Sequence, residues 1–596
     1  MNGDLHSEWA RLFMRALHAS GVEHVVLSPG SRSTPLALAA DATDGMQVST
    51  CIDERGAAFF ALGQARVTGR PSVLLCTSGS AGAHYFPAVL EAERALLPLI
   101  ALTADRPWEL TQAHENQTVD QTKLFGGHVR AYFELGEPDP AALRAVPRIA
   151  AQAVLRAQFP VPGPVHVNAR FRKPLEPVAS AGDEPWRGEL QRCDQRGAPR
   201  AFAGRVLPSV DALERVTQLC ASARRGLVLV GPAWGNAGQA RDKSAPALRQ
   251  ALADFLRTSG FACGAEAASD VLHGPELSGL CAGALDAWLV ALFESRPPDV
   301  VLCLGAPPTS AAWPRIARAQ APATVIAVAP HDIVDPSAAT TDAVVCDATE
   351  LLGSLSERLA GRPRDAAYRE HVLALATTAD TPLSGDALSE PAIAHTVVAA
   401  LPAGATLLVG NSQVVRDVER YGGRRNQSLS VLHQRGVSGI DGLIAGAAGA
   451  RSVVDASRAV VVLLGDVSAL HDVGSLALAA NASAPLLIVV VNNGGGRIFE
   501  QLPIAAQISA TNLERLFLTP PTEFLAGACA AFQISHARAD TAQALSDALH
   551  GALHTPRASV IEVCPRAEAT QEVRARDAAQ GTRATQGAVP NAGGAP

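Results

Sequence analysis

Apolar positions along this chain gather into short β-branched or Leu-rich runs, each closed by a Gly- or Ser-containing loop and followed by apolar residues at helical spacing. Strands of a parallel sheet produce such unbroken runs because crossover helices cover both faces. The runs fall into three blocks. HVVLSPG (24–30), QVSTCI (47–52), SVLLCTSG (72–79), LPLIALTADRP (97–107) and PVHVN (164–168) make the first. GLVLVGP (226–232), DVVLCLGAPP (299–308), TVIAVAP (324–330) and AVVCDA (343–348) make the second, and TLLVGNS (406–412), SLSVLHQRG (428–436), AVVVLLGD (459–466), PLLIVVVNN (485–493) and SVIEVCP (559–565) the third. The pattern predicts an α/β protein of three doubly wound parallel-sheet domains, at 1–185, 200–362 and 385–568, with polar or Pro/Gly-rich linkers near 180–200 and 360–388. Beyond about residue 568 the apolar periodicity fades, which predicts a short helix at best and a disordered tail over 569–596.

Composition agrees with this reading and narrows the function. A chain of 596 residues exceeds what one core supports, and 48% apolar against 18% charged residues fits a well-buried α/β protein. A formal charge of -7 offers no field for a phosphate backbone, so no nucleic-acid partner is expected. The ten cysteines are scattered without a Cys-x-x-Cys pair and read as reduced core residues. The start is amphipathic rather than a secretory leader, and no apolar run reaches the roughly 18 residues of a membrane span. A cytoplasmic protein is expected.

In open parallel sheets, ligands bind beyond the carboxyl ends of strands. Gly465-Asp466 follows one such strand and Asn492-Asn493-Gly494-Gly495-Gly496 another, with 27 positions from Asp466 to Asn493. Each half alone reads as an ordinary strand-to-loop turn. Together they offer a carboxylate, an amide oxygen and a backbone carbonyl, oxygen donors that suit Mg²⁺ beside a diphosphate, while glycines let the backbone approach the phosphates.

This pairing resembles the Gly-Asp…Asn-Asn signature of thiamine-diphosphate enzymes, a family of three α/β domains. The resemblance implies thiamine diphosphate as cofactor with Mg²⁺ or Mn²⁺, and Asp466, Asn493 and Gly495 as metal ligands. It also implies a glutamate that hydrogen-bonds the aminopyrimidine ring and promotes activation of the cofactor, a role that falls to Glu54 in Asp53-Glu54-Arg55-Gly56. A carboxyl in that role must hold a proton near neutral pH, which requires apolar surroundings. Seen alone, Glu54 would be a first-turn acid favoured by the helix dipole.

Seven further loops, SPGSRSTPL (28–36), TSGSAG (77–82), TADRPWEL (103–110), ENQTVDQ (115–121), GNSQVVRDVERY (410–421), HQRGVSGIDG (433–442) and NNGGGRIFEQLP (492–503), are similar to the menaquinone-biosynthesis branch of that family. The likeness covers about residues 5–565 and is weakest in the central block. It implies decarboxylation of 2-oxoglutarate and 1,4-addition of the resulting succinyl carbanion equivalent to isochorismate. Both substrates are dianions, and Arg32, Arg106, Arg416 and Arg435 lie beyond predicted strands, where an arginine can grip a carboxylate with two parallel hydrogen bonds. Taken singly, each is more often half of a surface ion pair.

The resemblance further implies that Arg416 and Arg435 hold 2-oxoglutarate, that Ser412, four positions from Arg416 and on the same helix face, is a site residue, and that Arg32 and Arg106 hold isochorismate while Ser31, Asn116 and Gln117 position polar atoms. It makes Ile440 the wedge that bends the cofactor, Phe499 an apolar wall and Gly465 a cofactor contact. Because Glu54 and the Asp466/Asn493 anchor fall in different domains, it implies sites shared between two subunits of a homodimer or homotetramer. One departure stands out: Ala311-Ala312 occupy the place of a basic pair usual in the central domain, with Arg315 one helical turn on. Two alternatives stay open, another carboligase or 2-oxo-acid decarboxylase on the same scaffold, and a non-catalytic cofactor-binding homologue.

Overall fold

The computed structural model describes residues 4–179, 183–235, 238–320, 322–361, 365–378, 383 and 388–587, the last eight of them by backbone alone. Three sheets, parallel in every pairing, follow one another along the chain. The first comprises β1 (His24–Leu27), β2 (Gln47–Thr50), β3 (Ser72–Cys76), β4 (Leu99–Asp105), β5 (Tyr132–Gly136) and β6 (Pro164–Arg170), in the order β2-β1-β3-β4-β6-β5. The central sheet comprises β7 (Gly226–Val230), β8 (Ala262–Ala265), β9 (Val300–Leu304), β10 (Thr324–Ala329) and β11 (Asp342–Val345), in the order β11-β10-β9-β7-β8. The third comprises β12 (Thr406–Val409), β13 (Ser430–His433), β14 (Val460–Gly465), β15 (Leu486–Val491), β16 (Ser535–Ala539) and β17 (Ala558–Val563), in the order β13-β12-β14-β15-β17-β16. The first and third sheets therefore share one strand order, and helices cover their buried faces.

Each sheet holds one strand that the apolar pattern misses: β5 (YFELG), β8 (ACGA) and β16 (SHARA). All three are edge strands. An edge strand needs fewer apolar residues than a central one, so no long run announces it.

Packing also moves the domain boundaries. The helix Arg187–Arg196 buries Leu190 and Cys193 against the first domain and carries Asp194, which pairs with Arg11 at 2.8 Å, so this domain extends past 185. The helix Ala367–Thr378 buries Tyr368 and Val372 against Trp288 and Leu289, which carries the central domain past 362. The expected disordered tail is corrected in part: residues Ala567–Gly587 form one long helix, and the expectation for 588–596 lies outside the described residues. Arg574 and Asp577 anchor this helix to the third domain by ion pairs. Its polar surface is satisfied by those pairs rather than by an apolar stripe, which is why periodicity does not reveal it.

The first and third domains lock through the helices Glu54–Thr68 and Leu443–Val453. Their backbones approach so closely that a Cβ on Gly63 would lie 2.0 Å from the Gly446 carbonyl oxygen, and one on Gly449 1.9 Å from that of Phe60. All ten cysteines are unpaired. Among the described residues no helix is long and apolar enough to cross a membrane.

Candidate active site

Strand β14 ends at Gly465 and passes directly into a short helix that begins at Asp466, while β15, its neighbour in register, ends at Val491 and releases the Asn-Gly loop. Parallel pairing of Gly465 with Val491 is what puts the two loops side by side. Asp466 draws the loop in: one carboxylate oxygen accepts the Gly494 and Gly495 N–H groups at 3.1 and 2.7 Å, and the other accepts its neighbour Val467 at 2.8 Å. Gly495 sits at φ +112, and a Cβ there would lie 2.2 Å from the Leu518 carbonyl oxygen, so only glycine fits. Burial pushes the Asp466 carboxyl upward, an effect that the three backbone donors partly offset.

A cavity of about 270 Å³ opens beside this loop. Gly465, Asp466, Asn493, Gly495, Ser412, Ile440 and Phe499 all line it, so the loops of the third domain converge as expected. Asn493 gives its amide N–H to Glu390 Oε1 at 2.9 Å, while its Oδ1 is buried without a partner. A buried, unpartnered acceptor costs about 1–3 kcal/mol unless something fills the position. An orphaned amide oxygen on the same wall as the Asp466 carboxylate fits the donor set of a hard divalent cation. The Gly495 carbonyl accepts Arg497 N–H at 2.8 Å and keeps a second lone pair. Phe499 stacks at a tilt on Phe517, with centroids 5.4 Å apart. Ser412 is a non-glycine residue held at φ 65, ψ -128, a conformation that turns the chain sharply at the cavity rim.

The loop after β13 carries Arg435 and Ile440 and is fastened from three sides. Asn411 donates its amide to the Gln434 and Gly439 carbonyls at 2.9 and 2.7 Å, Gln434 donates to Asp441 at 2.8 Å, and buried Glu91 of the first domain accepts Gly436 and Val437 N–H. Sequence reasoning missed Asn411, Gln434 and Glu91 as holders of this loop. Asn411 stands beside the chosen Ser412, but Glu91 gives no local signal because it acts across 345 positions of sequence.

The arginines pair off in space. Arg435 lies half-buried with Nη1 3.3 Å from Asn411 Oδ1, and its pKa is lowered by burial first and by the positive Arg416 second. Arg416, exposed, folds back along its own helix and donates to the Ser412 carbonyl. In the first domain, buried Arg32 donates to the Phe171 carbonyl at 2.6 Å, and its pKa is likewise lowered by burial and then by Arg106. Arg106 Nε reaches the Gln117 carbonyl at 3.3 Å, and Gln117, at φ 55, returns a hydrogen bond to Ser78. Ser31, Asn116 and Gln117 are exposed on this rim. Among the described residues none of the four arginines forms a close ion pair, although Asp105 and Glu115 act on Arg32 and Glu266 and Glu91 on Arg435 at longer range.

Glu54 opens the helix Glu54–Thr68 behind the capping Asp53 and is half-buried, next to Ile52, which is 89% exposed. Neither Glu54 nor any other residue of the first domain lines the cavity. Within one chain Glu54 and this cavity therefore stand apart. Ala311 is exposed and the Ala312 N–H is taken by Asp286, while Arg315, one helical turn on, is exposed.

Two of these domains match known families: residues 8–124 match the N-terminal TPP binding domain of thiamine pyrophosphate enzymes, and residues 409–563 match their C-terminal TPP binding domain. Fold and cavity together define a thiamine-diphosphate-dependent enzyme. A protein of Sorangium cellulosum named 2-succinyl-5-enolpyruvyl-6-hydroxy-3-cyclohexene-1-carboxylate synthase is 47% identical, covering 99% of this chain and 98% of its own. Proteins of the same name from Haloquadratum walsbyi and Myxococcus xanthus are each 36% identical over at least 93% of this chain. The chain belongs to the family of 2-succinyl-5-enolpyruvyl-6-hydroxy-3-cyclohexene-1-carboxylate synthases.

Proposed function

We propose that this protein decarboxylates 2-oxoglutarate on thiamine diphosphate and adds the four-carbon unit to isochorismate, giving 2-succinyl-5-enolpyruvyl-6-hydroxy-3-cyclohexene-1-carboxylate and CO₂ in menaquinone biosynthesis. The observation that carries the reading is the two arginine pairs that make no close ion pair among the described residues, Arg416/Arg435 bonded to Ser412 and Asn411 of the cavity wall and Arg32/Arg106 on the first domain. Like charges held together at a cost in self-repulsion await an anion.

When bound, thiamine diphosphate supplies the nucleophilic carbon and the electron sink for the carboxylate electrons. Asp466, the orphaned Asn493 oxygen and the Gly495 carbonyl hold Mg²⁺ or Mn²⁺ with the diphosphate, and Gly465 leaves room for it. Ile440 and Phe499 give the cofactor an apolar wall that excludes water. Arg416 and Arg435, with Ser412, fix the carboxylates of 2-oxoglutarate; Arg32 and Arg106 fix those of isochorismate, and Ser31, Asn116 and Gln117 position its oxygens. Glu54 hydrogen-bonds the aminopyrimidine ring. The separation of Glu54 from the cavity within one chain supports a homodimer as the smallest active unit, in which Glu54 of one copy meets the cavity of another and gains there the apolar cover it lacks in the single chain. A homotetramer built from such dimers satisfies the same requirement, and a cytoplasmic location suits the reaction.

The test is purified protein with thiamine diphosphate, Mg²⁺ and 2-oxoglutarate, with and without isochorismate, read by product mass. Turnover that joins the two substrates is expected. Turnover of pyruvate in place of 2-oxoglutarate, or cofactor binding without turnover, would overturn the proposal.

A further inference from the structure

The helix Ala567–Gly587 lies outside the three sheets, yet one of its side chains reaches the cavity wall. Arg574 Nη2 stands 2.6 Å from Glu390 Oε2 and 3.3 Å from Asp417 Oδ2. Glu390 and Asp417 both line the cavity and both are buried, at 7% and 4% exposure. The other oxygen of Glu390 accepts the Asn493 amide at 2.9 Å, and the other oxygen of Asp417 accepts Gln413 at 2.9 Å. The chain of contacts therefore runs from the C-terminal helix through Arg574 and Glu390 to Asn493, a cavity-lining residue whose Oδ1 is left buried and unpartnered.

Its electrostatics point the same way. Asp466, Glu390 and Asp417 put three carboxylates on the wall of a pocket that must receive a diphosphate. Uncompensated, Glu390 and Asp417 would repel the phosphates and offer the cation a competing seat. With Arg574 between them, Asp466 is left as the one lining carboxylate without a cationic partner among the described residues, since Glu390 and Asp417 share the guanidinium. A planar guanidinium can serve two carboxylates at once, which an ammonium cannot do equally well.

We propose that Arg574 is a positioning residue for metal-diphosphate binding: through Glu390 it orients the Asn493 amide so that its oxygen faces the cation, and it neutralises the two carboxylates that would otherwise compete for that cation. This rests on the reading of Asn493 as a metal ligand. Residues that orient metal ligands typically contribute roughly ten- to hundred-fold in affinity.

The experiment titrates Mg²⁺ into full-length protein with thiamine diphosphate present, by calorimetry, for wild type, Asn493→Ala, Arg574→Ala, Arg574→Lys, Arg574→Ala/Glu390→Gln and Asp577→Ala. Asn493→Ala tests the ligand reading itself; unchanged Mg²⁺ affinity there removes that reading. With Asn493→Ala impaired, Arg574→Ala is expected to weaken Mg²⁺ about ten- to hundred-fold. Lysine is expected to restore part of it, and Glu390→Gln, which removes one competing charge while keeping an oxygen for Asn493, to restore part of it in the double variant. KM for 2-oxoglutarate at saturating Mg²⁺ should stay within about twofold of wild type. Asp577→Ala loosens the same helix at its contact with Arg420 without touching Glu390, and should lower the melting temperature while leaving Mg²⁺ affinity unchanged. Wild-type affinity in Arg574→Ala, or an equal loss in Asp577→Ala, would overturn the proposal.

Discussion

Gly495→Ala probes the cofactor anchor at its tightest point. The substitution forces an L residue to φ +112, and its Cβ would lie 2.2 Å from the Leu518 carbonyl oxygen and 3.2 Å from the Pro520 Cα, where backbone rather than a flexible side chain must yield. Conformational strain of this kind costs about 1–3 kcal/mol. Relief by moving the loop breaks the Gly495 N–H bond to Asp466, now 2.7 Å, and a hydrogen bond to a charged group contributes about 1.5–3 kcal/mol. Whichever way the clash resolves, strain kept or hydrogen bond lost, the cost is about 1–3 kcal/mol, which is roughly a five- to hundred-fold loss of affinity at 1.4 kcal/mol per decade. The assay is calorimetric titration of thiamine diphosphate with Mg²⁺ in excess, beside melting of the ligand-free protein. Gly465→Ala is the internal comparison: its backbone is extended at φ -82 and its Cβ would meet nothing within 4 Å, because it would project into the cavity. That variant should melt like wild type when ligand-free and still bind cofactor more weakly. Cofactor affinity in Gly495→Ala within about threefold of wild type would refute the argument that the loop's shape creates the site.

Replacing Arg416 or Arg435 by Ala should raise KM for 2-oxoglutarate by about ten-fold or more, since charge-assisted bonds contribute about 1.5–3 kcal/mol; steady-state kinetics showing an unchanged KM would remove them from donor binding. Glu54→Gln should keep the melting temperature and lose roughly 10²- to 10⁴-fold in turnover, the span of general acid–base catalysis, and wild-type decarboxylation by that variant would end its assigned role. Glu266, buried between the central domain and the helix that carries Arg416, has its pKa raised to about 7, chiefly by burial and further by Asp286, against hydrogen bonds from Thr309 and Ser310. Glu419 and Asp286 face it from the neighbouring helices, and Arg435 lies within electrostatic range. Because the folded protein holds this proton while the unfolded chain releases it above the usual carboxylate range, stability should fall as pH rises from about 4.5 to 7 and level off beyond. Melting curves of Glu266→Gln against wild type should therefore diverge over that window, in favour of the variant, and a pH-independent difference would contradict the burial argument.

Much of the third domain's site is legible in the order of residues alone. Gly465-Asp466 and Asn493-Gly494-Gly495 stand at the ends of two unbroken apolar runs, and pairing of β14 with β15 brings them side by side, as strand-end loops in a parallel sheet must be. The arginines are legible as residue types only. That Arg32 lies near Arg106 and Arg416 near Arg435 depends on where separate strands end relative to one another, which no local spacing records.

What the sequence by itself determined is the set of central strands, their grouping into three sheets and the strand-end loops proposed to hold the cofactor, because burial of both sheet faces writes an uninterrupted apolar run and the proposed metal-diphosphate anchor needs particular residues at a strand end. Only the tertiary structure decided the edge strands β5, β8 and β16, the reach of Glu91 into the Arg435 loop, the unpartnered Asn493 oxygen and the docking of the C-terminal helix through Arg574 and Asp577. Those features are polar contacts between segments far apart in the chain, and their energy comes from partners supplied by the fold rather than from any periodicity of the segment itself.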